Sequence, residues 1–209
     1  MFHRWIVSVQ FWIARLIHWR RWNAQYIVML GAPGAGKGTQ AAQLAPVLGV
    51  PHLSTGDVFR SEIAARTDLG LEVERYVSSG GLVPDEVTFR VLRRELEKPK
   101  YHKGAVLDGF PRTLNQAKLL SELLAGWGNK LDRVVLLDVP EKDLIERLSR
   151  RGRADDVPEV ISERLSKFRR ESQALLDYYK AQSLLSVVQS TNAKSKQETF
   201  AEVLAAVNG

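Results

Sequence analysis

The stretch LGAPGAGKGTQ, residues 30–40, holds four glycines and one lysine in eleven positions. It follows the apolar run 26–30 and precedes a helix-like segment that begins at Lys37. Glycines at this spacing let consecutive backbone N–H groups point at one anion, and the N-terminal end of the next helix adds partial positive charge. Lys37 supplies a full charge close to the outer phosphates of a nucleotide. The stretch therefore predicts a phosphate-binding loop between a strand and a helix.

Short apolar runs and helical patterns alternate along the chain after this loop. Runs of the length expected for strands buried on both faces of a parallel sheet lie at 26–30, 51–54, 104–107, 133–138 and 184–188. Helical patterns lie at 37–48, 57–66, 69–79, 84–97, 113–125, 141–150, 157–182 and 196–207. This alternation predicts an α/β fold, in which ligands bind beyond the carboxyl ends of the strands.

Composition narrows the class of protein. The chain has 209 residues, 44% of them hydrophobic, which suits one globular domain. It has no cysteine, which excludes disulfides and cysteine-ligated structural zinc and fits a reducing compartment. The net charge is +6, but residues 1–25 carry four arginines and no acid. The remainder is nearly balanced, with 26 basic and 24 acidic residues, so the charge does not indicate a nucleic-acid partner.

Residues 1–25 form an unusual N-terminal extension that contains four of the five tryptophans. Arg4 and Arg15 interrupt any apolar run long enough to span a membrane. Three interpretations stay open: an organelle-targeting peptide, a helix that lies on anionic lipid, and a dispensable extension. The helical interpretation depends on an apolar stripe at helical spacing, formed by Trp5, Val9, Trp12, Leu16 and Trp19.

The phosphate-loop motif has a variant form that resembles one family. Phosphate loops commonly carry Ser or Thr directly after the lysine, whereas here Gly38 intervenes before Thr39. The pattern Gly-x-Pro-Gly-x-Gly-Lys-Gly-Thr-Gln resembles the nucleoside monophosphate kinases, and the adenylate kinase family in particular. The likeness runs from about residue 26 to the C-terminus. Its further motifs, in the family's order, are Leu53–Asp57 with Arg60, Gly80–Asp85, Asp108–Thr113 with Gln116, and Arg151–Asp156 with Arg164.

The resemblance implies a three-layer fold similar to that of the phosphate-loop NTPases. Its five-stranded parallel sheet would be flanked by helices and would carry a small helical monophosphate-binding lobe at about 54–83. Members of the family have either a long folded lid or a short lid loop. Only about ten residues, 149–158, separate the two predicted helices here, which indicates the short type.

The resemblance also implies an activity: Mg²⁺-dependent, reversible, in-line transfer of a phosphoryl group from ATP to AMP, giving two ADP. Asp108, at the end of a strand, would hold the Mg²⁺ ion through water; the alternative role is to cap the following turn. The implied catalytic residues are Lys37, Arg112, Arg147, Arg151, Arg153 and Arg164. The implied ATP-binding residues are Gly34, Ala35, Gly36, Lys37, Gly38, Thr39, Arg147 and Arg151. The implied AMP-binding residues are Thr55, Arg60, Val83, Gly109, Arg112, Gln116, Arg153 and Arg164.

Thr55 and Gln116 favour adenine as the acceptor base. The related pyrimidine kinases usually carry Ala and Asn at the matching positions, and a glutamine amide offers both a donor and an acceptor to the adenine edge. Two alternatives stay open, a UMP/CMP kinase and a membrane-tethered nucleotide-binding protein of low activity. We expect a monomer in the cytoplasm, or in an organelle matrix if residues 1–25 are a transit peptide.

Overall fold

The computed structural model describes residues 24–79, 81–152 and 156–209. Predictions for residues 1–23 and for Arg153 lie outside the described residues. The strands are β1 (Gln25–Gly31), β2 (His52–Ser54), β3 (Gly104–Asp108), β4 (Arg133–Asp138) and β5 (Leu185–Gln189). The helices are α1 (Lys37–Leu48), α2 (Thr55–Ala64), α3 (Asp68–Ser78), α4 (Asp85–Leu96), α5 (Leu114–Gly126), α6 (Glu141–Arg151), α7 (Pro158–Ala181) and α8 (Lys196–Asn208).

The five strands form one parallel sheet in the order β2-β3-β1-β4-β5, which confirms the predicted fold class. The central strand β1 pairs with β3 through Ile27 and Val106 and with β4 through Ile27 and Arg133. The chain leaves β1 for one side of the sheet and later crosses to the other. The loop after β1 therefore lies at the switch point where this class of fold binds its ligands.

Side chains of β1 alternate between two hydrophobic cores, one on each face of the sheet. Ile27 and Met29 belong to the core that also contains residues of α1 and α8. Tyr26 and Val28 belong to the core that contains residues of α5 and α7. Because successive side chains of β1 enter opposite cores and both cores are apolar, the sequence of this buried parallel strand is a continuous apolar run.

A third and smaller core joins α2 and α3 to α4. Its buried members are Phe59, Val73, Val83 and Val91, the last of them on α4. This apolar cluster packs α2 and α3 together against α4.

The largest difference between the predicted and the observed helix bounds concerns α2, and the other helices agree with their predicted bounds to within one residue. The pattern predicted a helix over 57–66, whereas α2 spans Thr55–Ala64. The Ser54 hydroxyl accepts a hydrogen bond from the backbone N–H of Asp57 at 3.2 Å, and this cap starts the helix two residues earlier. A short 3₁₀ turn at Pro99–Tyr101 was not predicted. No helix in the described part of the chain has the length and hydrophobicity needed to cross a membrane.

Candidate active site

The loop between β1 and α1 has glycines, which carry no side chain, close to the start of the helix. Gly34 and Gly36 have φ angles of 85° and 94°, in the left-handed region that favours glycine. Gly36 is the N-cap of α1 and makes no side-chain cap hydrogen bond. The Lys37 ammonium folds back over the loop and donates to the carbonyl oxygens of Gly31 at 2.8 Å and Ala32 at 3.0 Å. The loop is thus preformed around its lysine.

The pKa of Lys37 is lowered to about 8, mainly by burial. The carboxylate of Asp108 acts to raise this pKa, and the positive charges of Arg112, Arg164 and Arg151 contribute to lowering it. A cluster of cations around a half-buried lysine is stabilised when an anion enters between them. The electrostatics of the loop therefore favour a polyanionic ligand.

Asp108 ends β3 beside this loop. A Cβ atom at Gly38 would lie 3.2 Å from Asp108 Oδ2, so the carboxylate is close to the loop backbone. Burial acts to raise the pKa of Asp108, but His52 and Lys37 outweigh it, and the pKa is lowered. His52 Nε2 lies 3.8 Å from Asp108 Oδ2, too far for a direct hydrogen bond. The carboxylate therefore stays ionised next to the phosphate site.

The donor set fits a hydrated Mg²⁺ ion better than a fully protein-ligated metal. Within the described residues there is no group of three or more His, Cys, Asp or Glu side chains that could hold a metal ion. Mg²⁺ keeps several waters and takes one or two carboxylates together with substrate phosphates. Asp108 supplies such a carboxylate, and the loop beside it would hold the phosphates.

A cleft of about 910 Å³ opens at the carboxyl edge of the sheet. All eight residues that the resemblance assigns to ATP line it: Gly34, Ala35, Gly36, Lys37, Gly38, Thr39, Arg147 and Arg151. Arg147 and Arg151 lie one turn apart on α6, so both reach the cleft from the same face of the helix. Arg147 donates to the carbonyl oxygen of Ala35 in the loop at 3.3 Å.

A smaller cavity of about 60 Å³ adjoins the cleft on the side of the small lobe. It is lined by seven residues that the resemblance assigns to AMP: Thr55, Arg60, Val83, Gly109, Arg112, Gln116 and Arg164. Arg60, Arg112 and Arg164 line both cavities, so the two spaces meet at these three guanidinium groups. Burial, followed by the charge of Arg164, lowers the pKa of Arg112.

Gln116 is buried in the small cavity and already has two hydrogen bonds. Its Oε1 accepts from the backbone N–H of Arg112 at 2.8 Å, and its Nε2 donates to Asp85 Oδ1 at 2.7 Å. An amide group has two donor hydrogens and two acceptor lone pairs, so one of each stays available to a base. These two partners fix the orientation of the Gln116 amide and leave one donor hydrogen and one lone pair unused.

Gly109 is required by close packing at the wall of the small cavity. Its φ is +80°, and a Cβ atom there would lie 2.9 Å from Thr55 Oγ1 and 3.3 Å from an Arg112 nitrogen. Arg112 Nε donates to the Gly109 carbonyl oxygen at 2.8 Å. The absence of a side chain at Gly109 therefore lets Arg112 pack against the backbone and hydrogen-bond its carbonyl oxygen.

Asp156 joins two of the predicted arginines and was not assigned a role from sequence. Arg151 Nε donates to Asp156 Oδ2 at 2.8 Å, and Arg164 Nη1 lies 3.8 Å from Asp156 Oδ1. The Asp156 side chain is only 2% exposed. The carboxylate therefore links the end of α6 to α7 at the cleft.

Sequence reasoning also missed Asp85, Lys167 and Asn192. Asp85 binds the Gln116 amide, while the other two line the cleft. Asn192 follows β5 in a polar loop, and no local pattern distinguishes it from a surface residue. Only the fold, which brings α6 and this loop together, reveals its contact.

Comparison with known proteins agrees with the geometry of the site. A family model described as adenylate kinase matches residues 29–184. A curated protein named "Adenylate kinase" from Mycolicibacterium smegmatis is 45% identical over 181 residues, which cover 87% of this chain and 98% of that protein. A protein of the same name from Corynebacterium glutamicum (strain R) is 49% identical over 153 residues, covering 73% of this chain and 84% of the relative.

A third relative named "Adenylate kinase", from a Cyanothece species, is 43% identical over 173 residues. These cover 81% of this chain and 89% of that protein. The family model spans most of the chain, and the relatives are matched over nearly their whole length. The chain belongs to the adenylate kinase family.

Proposed function

We propose that this adenylate kinase transfers the γ-phosphoryl group of ATP to AMP by direct in-line displacement where its two cavities meet. The observation that carries the proposal is the convergence of Arg60, Arg112 and Arg164 on both cavities. Two polyanions brought into one cleft repel each other, and these guanidinium groups offset that repulsion. The transfer needs positioning and charge neutralisation, with little covalent help from the protein.

ATP lies on the side of the phosphate loop in this proposal. The backbone of residues 34–39 and the N-terminal end of α1 bind its phosphates. Lys37 and Arg151 contact the transferring phosphoryl group, and Arg147 binds the nucleotide from α6. Their place on the walls of the large cleft supports these roles.

AMP lies in the small cavity. Arg60 and Arg112 hold its phosphate, Arg164 faces the transferring group, and Thr55, Val83 and Gly109 form the walls. Gln116 reads the adenine edge with its remaining donor and lone pair. Arg153, which the resemblance adds to this set, completes it in the proposal.

The attacking group is already a phosphate anion, so the reaction needs no general base. When bound, Mg²⁺ adds positive charge on the phosphate oxygens, and Asp108 would hold it through water. Closure of the short lid at 149–158 excludes water from the cleft. Two unit charges 4 Å apart interact by about 1 kcal/mol in water but about 4 kcal/mol at an effective dielectric of about 20, so closure strengthens each arginine contact.

A comparison of acceptors tests the proposal. We expect a coupled assay with ATP to give the highest kcat/KM with AMP, ahead of CMP, UMP and GMP. Preferential turnover of CMP or UMP would instead assign the chain to the pyrimidine kinases. The shared name of the curated relatives and the buried amide of Gln116 support AMP.

Substitution tests the assigned roles directly. Lys37→Ala and Arg112→Ala should each reduce kcat by about 100-fold or more, because each removes a cation from the developing charge. The melting temperature should stay close to that of the wild type. Near-normal rates in either variant would remove that residue from the mechanism.

We further propose that the enzyme works as a monomer in the cytoplasm. Residues of one chain line both cavities, so the described site needs no second subunit. The nucleotides it would interconvert are abundant in that compartment. Sedimentation of the full-length chain and cell fractionation test these two points, and a stable dimer or a membrane-bound pool would contradict them.

A further inference from the structure

Arg147 is held at the donor side by acceptors that carry no charge. Its Nε donates to Asn192 Oδ1 at 2.8 Å. Its two terminal nitrogens lie 3.3 and 3.4 Å from Ser190 Oγ, and Nη1 also donates to the Ala35 carbonyl oxygen at 3.3 Å. In the described structure no carboxylate forms an ion pair with Arg147, whereas Arg151 is paired with Asp156. Arg147 therefore keeps its full positive charge while its guanidinium plane is fixed.

Asn192 is itself fixed to the helix that carries Arg147. Its backbone N–H donates to Asp143 Oδ2 at 2.7 Å, and its Nδ2 donates to Glu146 Oε2 at 2.7 Å. Of the two ends of the Asn192 amide, a carboxylate such as Glu146 can accept only from the nitrogen, and the Arg147 Nε–H can donate only to the oxygen. The orientation of the Asn192 amide is therefore determined by both neighbours.

These contacts connect the loop after β5 and the phosphate loop through one guanidinium group. Asp143, Glu146 and Arg147 are spaced i, i+3 and i+4 on α6, so they share one helix face. Ser190 is buried and lines the cleft together with Asn192. A long arginine side chain loses much rotamer freedom when it binds a ligand, and a side chain that is already held loses less.

We propose that Asn192, assisted by Ser190, is a positioning residue that orients Arg147 toward the donor nucleotide. The proposal depends on the assignment of the donor to the phosphate-loop side, which belongs to the proposed function. A neutral amide holds the guanidinium without neutralising it, so the charge stays available to the donor's phosphates. Asn192 acts on donor binding and leaves the acceptor side unaffected.

The first measurement is steady-state kinetics of Asn192→Ala in the full chain. We expect KM for ATP to rise about fivefold, because a free arginine must be ordered on binding. The kcat and the KM for AMP should stay within about twofold, since the reacting phosphates and the acceptor cavity are untouched. Gln189→Ala is the matched control: Gln189 ends β5 next to this loop, and the variant removes its 2.8 Å side-chain hydrogen bond to Asp138, which does not involve Arg147.

A double-mutant cycle separates positioning from simple support of the loop. In the Arg147→Ala background, Asn192→Ala should change KM for ATP by less than about twofold, because its target is gone. An undiminished effect in that background, or no effect of Asn192→Ala on its own, would overturn the proposal. If Arg147→Ala alone raises KM for AMP and not for ATP, the donor assignment itself is wrong. That result is distinct from a failure of Asn192 to couple.

Discussion

Lys37 links nucleotide binding to pH at the scale of a single residue. Burial and the surrounding arginines lower its pKa to about 8 in the free protein, from 10.5 for an ordinary lysine. Bound phosphates favour the charged form, so they raise this pKa again. Below about pH 8 the lysine is already charged and ATP binds at full strength. As the pH rises past that value, binding must take up a proton, and we expect affinity for ATP to fall.

Calorimetry measures this proton directly. At one pH unit above the pKa, the apparent enthalpy of ATP binding should differ between two buffers of different ionisation enthalpy, and the difference should vanish well below it. Lys37→Arg is the control, since a guanidinium stays charged throughout this range. The same buffer dependence in that variant would show that another group takes up the proton.

Gln116 permits a sharp test of base recognition. Gln116→Leu should lower kcat/KM for AMP by about 10- to 100-fold, because about 1–3 kcal/mol is lost when buried polar groups are left unpaired. KM for ATP should not change. Asn115→Ala is the control: Asn115 Nδ2 donates to the same Asp85 carboxylate at 2.9 Å but does not line the small cavity. Equal losses of kcat/KM in the two variants would mean that the loss comes from the disturbed hydrogen bonds of Asp85 and not from base recognition.

Asp156 couples two elements, the C-terminal end of α6 and the cleft face of α7. Asp156→Ala leaves Arg151 and Arg164 without the nearly buried carboxylate between them. We expect kcat/KM to fall by about tenfold or more for both nucleotides, since the variant removes a nearly buried carboxylate that holds Arg151 and lies beside Arg164. Steady-state kinetics with each substrate varied in turn would measure the loss.

The control for Asp156 is a second link between the same helices. Glu141 on α6 pairs with Arg169 on α7 at 3.0 Å, and both side chains are more than half exposed. Exposed pairs contribute about 0–1 kcal/mol, so Glu141→Ala should leave both kinetic constants and the melting temperature nearly unchanged. If Glu141→Ala is as harmful as Asp156→Ala, the contact between the two helices matters as a whole and the Asp156 carboxylate has no special role.

Elements were predictable from sequence because their signals are local. The buried strands read as continuous apolar runs, and β4 has the predicted bounds, Arg133–Asp138. The start of α2 was misplaced because the Ser54 cap competes with a strand that ends at the same residue. Asp156 and Asn192 were not found because their partners come from other elements, 45 residues away for Asn192 and Arg147. A polar loop residue gives no sequence signal for such a contact.

Across the whole molecule, the site and the start of β1 lie at opposite edges of the sheet. In a parallel sheet all carboxyl ends meet at one edge, and the cleft opens there beyond Gly31 and Asp108. Gln25, which begins β1, lies at the other edge, where its backbone N–H donates to the Lys103 carbonyl oxygen at 3.0 Å. The first described strand therefore begins at the edge of the sheet away from the cleft.

This topology predicts that deletion of residues 1–23 leaves catalysis intact. We expect kcat and both KM values to stay within about twofold of the full chain, because no described contact of the site comes from that edge. Co-sedimentation with vesicles of anionic lipid, run on both proteins, tests the separate question of a membrane anchor. We expect the two proteins to bind such vesicles to the same small extent, whereas salt-sensitive binding that the deletion abolishes would establish an anchor made by the four arginines. A large loss of kcat on deletion would contradict the separation of the two edges, and equal vesicle binding by both proteins would exclude the anchor.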